Sequence, residues 1–222
     1  MKNYLLLLLF LACFSPLSAQ TPPKILWGVY GGLTRSFWQF PKVNYQKTNA
    51  LYAAYGDTLQ EMKGTNFFGI QGGIMISFPL VERWQIRLLP CIDLSQADFT
   101  HIYTSRSIEN WHYEQTNLCL PIQAVWKMTA KEHSFYAFLG LNPKINFQTD
   151  RSLQKITLKK ADVSLDFGVG YGKIKIRKAL PFAPELRFSL GLRDRLIDEN
   201  SLSYVTIGAF KYHSVGLIFH FY

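Results

Sequence analysis

The sequence has few charged residues, few cysteines and only one long apolar run. Asp, Glu, Lys and Arg make up 18% of the 222 residues, and there are three cysteines. Beyond the N-terminal segment no apolar stretch approaches the ~20 residues that a membrane-spanning helix needs. No segment has the period of an amphipathic helix either. These absences exclude a bundle of transmembrane helices and leave two alternatives, an exported soluble protein or a chain that crosses a membrane with strands.

The long apolar run lies at the N-terminus and is typical of a secretory signal peptide. Its apolar core, Leu5–Phe14, is too short to span a bilayer, and the small residues after it favour cleavage behind Ala19. We therefore expect residues 1–19 to be removed. Cys13 leaves open the alternative of a lipoprotein signal.

The chain is rich in aromatic residues and in positive charge. Phe, Tyr and Trp make up 15% of the residues, and the formal net charge is +9. Aromatic side chains favour strands. A basic exported chain is expected to meet anionic lipid headgroups or acidic surface glycans and no nucleic acid. A charge that serves solubility alone is the simpler alternative.

Eight segments within residues 20–222 alternate between apolar and polar side chains, which predicts eight strands. They lie at about 25–37, 66–78, 84–96, 113–127, 135–147, 161–176, 183–193 and 210–222. Short links alternate with long loops, which fall at about 38–65, 97–112, 148–160 and 194–209. This asymmetry is typical of transmembrane barrels, with tight periplasmic turns and longer outer loops. We predict an all-β fold, an eight-stranded antiparallel up-and-down barrel in the outer membrane of a Gram-negative bacterium.

In such a barrel the apolar face of each strand contacts lipid and the polar face lines the lumen. Eight strands leave a lumen that side chains can fill, so we predict a plugged interior. The charges expected to face it are Arg87, Asp93, Lys144, Asp162, Asp166, Glu185, Arg187 and Arg193. The aromatic residues expected to form a girdle at the periplasmic interface are Trp27, Phe78, Trp84, Trp126, Phe135 and Phe221. A lipocalin-like soluble barrel would reverse the two faces and would not collect exposed Trp at one rim.

The inward charges must be paired, because an isolated buried charge is very costly. A turn centred near residue 180 places Asp166 opposite Arg193. Arg87 and Lys144 need other acidic partners. The candidates for them are Asp93, Asp162 and Glu185. We expect these charges to hold the barrel together and not to be catalytic.

Two cysteines, Cys91 and Cys119, remain after removal of the signal peptide. Both are expected to point inward on neighbouring strands. Their midpoint falls in the middle of the linking loop, which predicts that they are direct cross-strand neighbours. An oxidising compartment permits a disulfide between them, but cross-strand geometry is often strained. Two free buried thiols are the alternative.

No motif indicates a catalytic residue, a metal site or a cofactor. The glycines of 168–172, GVGYG, are not followed by the helix of a nucleotide-binding loop, and we expect them to make room in a crowded lumen. The five histidines lack the spacing of metal ligands. His101 and His112 flank one outer loop, and with Ser105 or Ser107 they leave open a lipid-modifying hydrolase.

Several segments together resemble one known family, and the likeness is strongest from about residue 110 onward. They are LKKADVSLDFGVGY at 158–171, APELRFSLGLRDRLIDEN at 183–200 and SVGLIFHFY at 214–222. They resemble the PorT-like outer-membrane barrels of the Bacteroidota. The matching positions are Pro184, Glu185, Phe188, Gly191 and Leu192, and they look structural.

The resemblance implies a non-enzymatic outer-membrane barrel needed for type IX protein secretion and sometimes linked to gliding motility. Its partners would be membrane lipid and other proteins of the secretion machinery, bound through loops or periplasmic turns. It implies no cofactor. The alternative is a general barrel that binds ligands or adheres through outer loops such as 38–65, which is aromatic and polar and suits protein contacts.

Overall fold

The computed structural model describes residues 24–39, 59–65, 68–103, 108–130, 134–147, 159–174, 181–194 and 211–222. The strands in these ranges are β1 (Leu26–Gln39), β2 (Leu59–Thr65), β3 (Phe68–Val81), β4 (Trp84–Leu88), β5 (Cys91–Tyr103), β6 (Ile108–Cys119), β7 (Ile122–Lys127), β8 (Phe135–Asn146), β9 (Ala161–Tyr171), β10 (Phe182–Gly191) and β11 (Lys211–Phe221). Among the described residues there is no helix long and apolar enough to cross a membrane. The predicted signal peptide lies outside them.

The strands form one antiparallel sheet that closes on itself. β1 pairs with β3 on one side and with β11 on the other. β8 pairs with β9 and completes the ring. β4 and β5 follow one line along the wall, as do β6 and β7, so the wall is crossed eight times. The predicted eight-stranded antiparallel barrel is confirmed.

Two of the eight crossings are interrupted at a proline. Leu89 and Pro90 separate β4 from β5, and Leu120 and Pro121 separate β6 from β7. Proline has no N–H to donate to the ladder, but its carbonyl still accepts. The Leu89 N–H donates to the Pro121 carbonyl at 3.0 Å, and the Ile74 N–H donates to the Pro90 carbonyl at 3.0 Å. β3 pairs with β4 and then with β5 in the same register. The interruption at Leu89 and Pro90 therefore does not shift the strand pairing in the wall.

The sheet extends beyond the barrel wall at the end with the long connections. The predicted loop at 97–112 is wrong, because β5 runs to Tyr103 and pairs with β6 as far as Ile102 opposite Ile108. β2, which falls in the predicted loop 38–65, pairs with the outer part of β5. A strand can continue past the membrane with polar side chains on both faces, so the loss of apolar alternation does not mark its end.

The two faces of the barrel wall differ in polarity. On β10, Leu186 and Leu190 are each 41% exposed, whereas Arg187 and Ser189 between them are 3% and 5% exposed. The same alternation of exposed apolar and buried polar side chains occurs on β8 and β9. An outward apolar band with a polar interior is what a bilayer requires of a barrel.

Aromatic rings fill part of the lumen, and two glycines make room for them. Tyr136 and Phe138 on β8 are buried, and they lie opposite Gly170 and Gly168 on β9. A Cβ at Gly170 would overlap the Tyr136 ring, and a Cβ at Gly168 would approach the Phe138 ring to 2.8 Å. Gly168 and Gly170 of the GVGYG segment therefore make room in the lumen, as expected from the sequence.

We predict that Gly170→Ala lowers the free energy of unfolding by about 1–3 kcal/mol, because the new methyl group overpacks a filled lumen. Urea-induced unfolding of the refolded barrel in lipid vesicles measures this change. Gly72→Ala is the matched control, since the nearest atom to a Cβ there is the Tyr30 carbonyl oxygen at 3.6 Å. Equal stability of the two variants would contradict the packing described here.

Candidate functional site

The lumen holds charged side chains from five of the strands. The buried ones among the described residues are three cations and four carboxylates, namely Arg87, Lys144, Arg187, Asp93, Asp162, Asp166 and Glu185. Burial of a charge is unfavourable unless the charge is paired and hydrogen-bonded. Their hydrogen bonds and ion pairs centre on two carboxylates, Glu185 and Asp166.

Glu185, which is fully buried, is the centre of the first group. Arg187 donates to its Oε1 through Nε at 3.0 Å and through Nη2 at 2.7 Å. Arg87 forms an ion pair with its Oε2 through Nη2. The Tyr136 hydroxyl donates to the same Oε2 at 3.1 Å, and His220 Nε2 lies 3.1 Å from it. One carboxylate thus joins two guanidinium groups, and we call these five residues the Glu185 cluster.

Neutral side chains hold the two guanidinium groups in place. Gln123 Oε1 accepts from Arg87 Nε at 3.0 Å and from Arg87 Nη2 at 2.7 Å. The centre of the Phe138 ring lies 5.5 Å from Arg87 Cζ and 5.9 Å from Arg187 Cζ. The Tyr30 ring lies 5.8 Å from Arg187 Cζ. Cation–π contacts are strongest where water is excluded, so these rings stabilise the buried cations.

Asp166 is the centre of the second group, nearer the outer end of the lumen. Its Oδ2 accepts from Asn142 Nδ2 at 3.1 Å, and its Oδ1 accepts from Ser164 Oγ at 3.0 Å. Lys144 is also buried in this region, and its Nζ lies 5.3 Å from the centre of the Tyr212 ring. Neutral side chains thus donate to both carboxylate oxygens of Asp166.

The structure brings Arg87 to Glu185, one of the carboxylates considered for it, and places Lys144 opposite Asp162. Asp93 is buried and lines the same small void as Lys144. These residues lie in the lumen, as their positions on the strands predicted.

The predicted pairing of Asp166 with Arg193 is wrong. Ser189 lies opposite Asp166, and Arg193 is exposed beyond the end of β10. The prediction assumed a turn centred near residue 180, but the chain reverses earlier, as the bridge between Ile174 and Phe182 indicates. The displaced turn moves the partner of Asp166 by four residues, from position 193 to position 189.

Sequence reasoning missed three members of this site, Gln123, Tyr136 and His220. Each lies on the inward face of its strand, between outward apolar neighbours. Strand parity could have placed them in the lumen. It could not have placed them beside Glu185 without the registers of the strands around β10. His220 comes from β11, which pairs with β10, Tyr136 lies opposite the same residue of β9 as Glu185, and Gln123 comes from β7, beyond β8.

Cys91 lies directly opposite Cys119, which is the register that the midpoint of the hairpin predicted. Both cysteines are buried and free in the structure. They pack in the lumen with Tyr30, whose hydroxyl donates to the Leu89 carbonyl at 2.8 Å, and with Met75. They therefore contribute to the packing of the lumen as small apolar side chains.

The aromatic residues predicted as a periplasmic girdle lie near the end with short turns. Trp84 is opposite Trp126, and both are exposed on the outer face. The others that are exposed there are Trp27, Phe135 and Phe221, and Phe78 is half-buried. Tyr171 was missed, and its ring lies 4.9 Å from that of Phe135.

The hydrolase alternative receives no support from the described residues. His101 and His112 lie on β5 and β6, but each is opposite an acidic residue and not opposite the other. Ser105 and Ser107 lie outside the described residues. In the part of the chain that the structure describes, no three His, Cys, Asp or Glu residues are grouped to hold a metal ion.

Two cavities lie on either side of the Glu185 cluster. The first, of about 90 Å³, is at the short-turn end and has Arg87 and Tyr136 in its lining. The second, of about 10 Å³, is lined by Arg187, Lys144 and other polar side chains. Since Glu185 binds Arg87 on one side and Arg187 on the other, the cluster separates the two cavities.

Comparison with known proteins agrees with this architecture. Residues 18–196 match the model of a protein family described as outer membrane protein beta-barrel domain. Among solved structures, the chain is similar to the outer membrane protein OprG from Pseudomonas aeruginosa, with a TM-score of 0.51 and 13% sequence identity over 88% of this chain and 92% of that chain. The sequence has no match among curated proteins. At this identity the likeness to OprG shows the fold alone.

We predict that Glu185→Gln lowers the free energy of unfolding by about 3–5 kcal/mol, because it removes the negative charge with which both buried guanidinium groups are paired. Urea titration of the refolded barrel in vesicles measures the loss. Glu114→Gln makes the same chemical change at an exposed position of β6 and is expected to alter stability by less than about 1 kcal/mol. A loss for Glu185→Gln no larger than that of the control would contradict the role of the cluster.

We also predict that Glu185→Ala makes the barrel conduct ions, because it removes the group that separates the two cavities and leaves two cations that repel each other. Conductance across planar bilayers measures this, with wild type and Glu114→Gln as controls that remain closed. If Glu185→Ala does not refold, Arg187→Ala opens the same barrier. Wild-type conductance in a folded variant would show that other side chains close the lumen.

Proposed function

Since the chain belongs to the outer membrane protein beta-barrel domain family, we propose that this outer-membrane barrel is non-enzymatic and supports the assembly or operation of type IX protein secretion. The filled lumen is the observation that carries the proposal. Since the Glu185 cluster occupies the interior, the surfaces of the barrel are what secretion partners would contact, and the wall anchors those surfaces in the membrane.

The residues that resemble the PorT-like barrels support the same proposal. Glu185, one of the matching positions, is the carboxylate that binds both Arg87 and Arg187. Pro184 and Phe188 lie on the outward face of the same strand, half-exposed or exposed. The matching positions on β10 thus have roles in the wall and in the lumen, which suits a family defined by a barrel and not by a catalytic site.

The outer sheet favours a second candidate function. Beyond the wall, the outer part of β5 is hydrogen-bonded to β2 on one side and to β6 on the other. A sheet raised above a rigid barrel can present a binding surface. The second candidate is therefore a general outer-membrane barrel that binds a ligand or adheres through this sheet.

We predict that deletion of the gene abolishes export of type IX cargo and that the wild-type gene restores it. A variant in which residues 98–112 are replaced by a tight turn, with the wall retained, separates the two candidates. The adhesion candidate requires normal export from the deletion strain and altered surface binding by the shortened variant. Secreted cargo is measured by mass spectrometry of culture medium, and barrel folding by heat-modifiable migration in gels. Normal export from the deletion strain would reject the secretion role.

A further inference from the structure

The cavity at the short-turn end of the lumen has the composition of an anion site. Side chains or strand ends from around the barrel line it, and they include three cations, Arg87, Lys127 and Lys173. None of the described residues that line it is Asp or Glu. In outer-membrane barrels the short turns face the periplasm, so the cavity opens toward that compartment.

The three cations reach the cavity from different parts of the wall. Arg87 is on β4, Lys127 ends β7, and Lys173 follows the end of β9. Arg87 is buried and held by Gln123 and Glu185, whereas both lysines are partly exposed. Lys173 Nζ lies 5.7 Å from the Tyr222 ring, and both lysines make further interactions within the protein. An ammonium group has three donors, so each lysine can also bond an anion.

A buried hydroxyl in the same cavity has no partner in the described structure. Ser77 lies opposite Arg87 on the neighbouring strand and is 1% exposed, and its Oγ makes no hydrogen bond. A buried polar group without a partner is unfavourable. An oxygen atom of a ligand in the cavity would accept a hydrogen bond from this hydroxyl and would lie close to Arg87, which is opposite Ser77.

The volume limits the size of the ligand. A single water molecule needs a cavity volume of roughly 10–15 Å³. The cavity of about 90 Å³ therefore holds several waters or one small group. A nucleotide or an oligosaccharide is too large. Phosphate and carboxylate groups have the negative charge and the acceptor oxygens that Lys and Arg bind best.

We propose that this cavity binds a small oxyanion, a phosphate or a carboxylate group, from the periplasmic solution. Lys127 and Lys173 supply the attraction, Ser77 donates a hydrogen bond, and Arg87 forms the inner wall with its charge balanced by Glu185. The site does not depend on the proposed role in secretion. A lipid phosphate is the other source of the same chemistry, but the cavity lies inside the wall, away from the lipid-facing side chains.

The test is titration of the full barrel, ¹⁵N-labelled and refolded, with inorganic phosphate at neutral pH. We expect saturable shifts of the amide signals of Ser77, Lys127 and Lys173. The variant Lys127→Gln/Lys173→Gln is expected to raise the apparent Kd at least tenfold. The matched control is Lys24→Gln/Lys211→Gln, which removes the same charge from two exposed lysines outside the cavity lining.

Two further measurements test the site. Ser77→Ala leaves the charge unchanged and is expected to raise the apparent Kd severalfold, so it decides the matter if the double lysine variant does not refold. Barrels in zwitterionic and in anionic vesicles are expected to bind phosphate with the same Kd, whereas a lipid source would occupy the site in anionic vesicles and weaken phosphate binding. Shifts that do not saturate, or equal Kd values for the cavity and control variants, would overturn the proposal.

Discussion

Every strand in the wall must hydrogen-bond on both sides, because the hydrocarbon of a bilayer offers no partner for a backbone N–H or C=O. The pairing of β1 with β11, from Val29 opposite Phe221 to Gln39 opposite Lys211, meets this constraint by closing the sheet. Closure then gives the sheet an inner and an outer surface, and successive residues of a strand point to these surfaces in turn. The apolar outer band and the polar, filled lumen are both consequences of the closed ring.

Closure of the barrel places charged side chains in its interior, and the Glu185 cluster shows how they are paired there. A buried ion pair adds little net stability, since desolvation offsets much of the attraction, but a partly broken one is costly. Arg87 and Glu185 are 98 positions apart in the sequence, and they meet only when all strands between them have the right register. We interpret the cluster as a group that favours one closed register over its alternatives. The two ends of the barrel differ, with a cationic cavity at one and a projecting sheet at the other.

The sequence was informative about which face of the wall a side chain occupies and less so about which residue it contacts. Alternation placed Arg187 and Asp166 in the lumen, and it did so without knowledge of any loop. The partner of Asp166 depended on the β9–β10 turn, and a small error in its centre moved the partner from Ser189 to Arg193. The β5–β6 hairpin is symmetric about its midpoint, so the pairing of Cys91 with Cys119 followed directly. The outer sheet was missed because solvated strands and loops have similar composition. Gln123, Tyr136 and His220 were missed because their contacts with Glu185 depend on the registers of the strands around β10.

We infer that the apolar side chains of the wall contact lipid and that the charged ones face a closed interior. A nitroxide scan of residues 186–190 in reconstituted vesicles tests it most directly, with Cys91 and Cys119 replaced by alanine. Collision rates with oxygen, which concentrates in the bilayer, and with a polar nickel chelate are measured at each position. We expect high oxygen and low nickel rates at Leu186, Phe188 and Leu190, and low oxygen rates at Arg187 and Ser189. High nickel rates at the three apolar positions, or no alternation, would contradict the account.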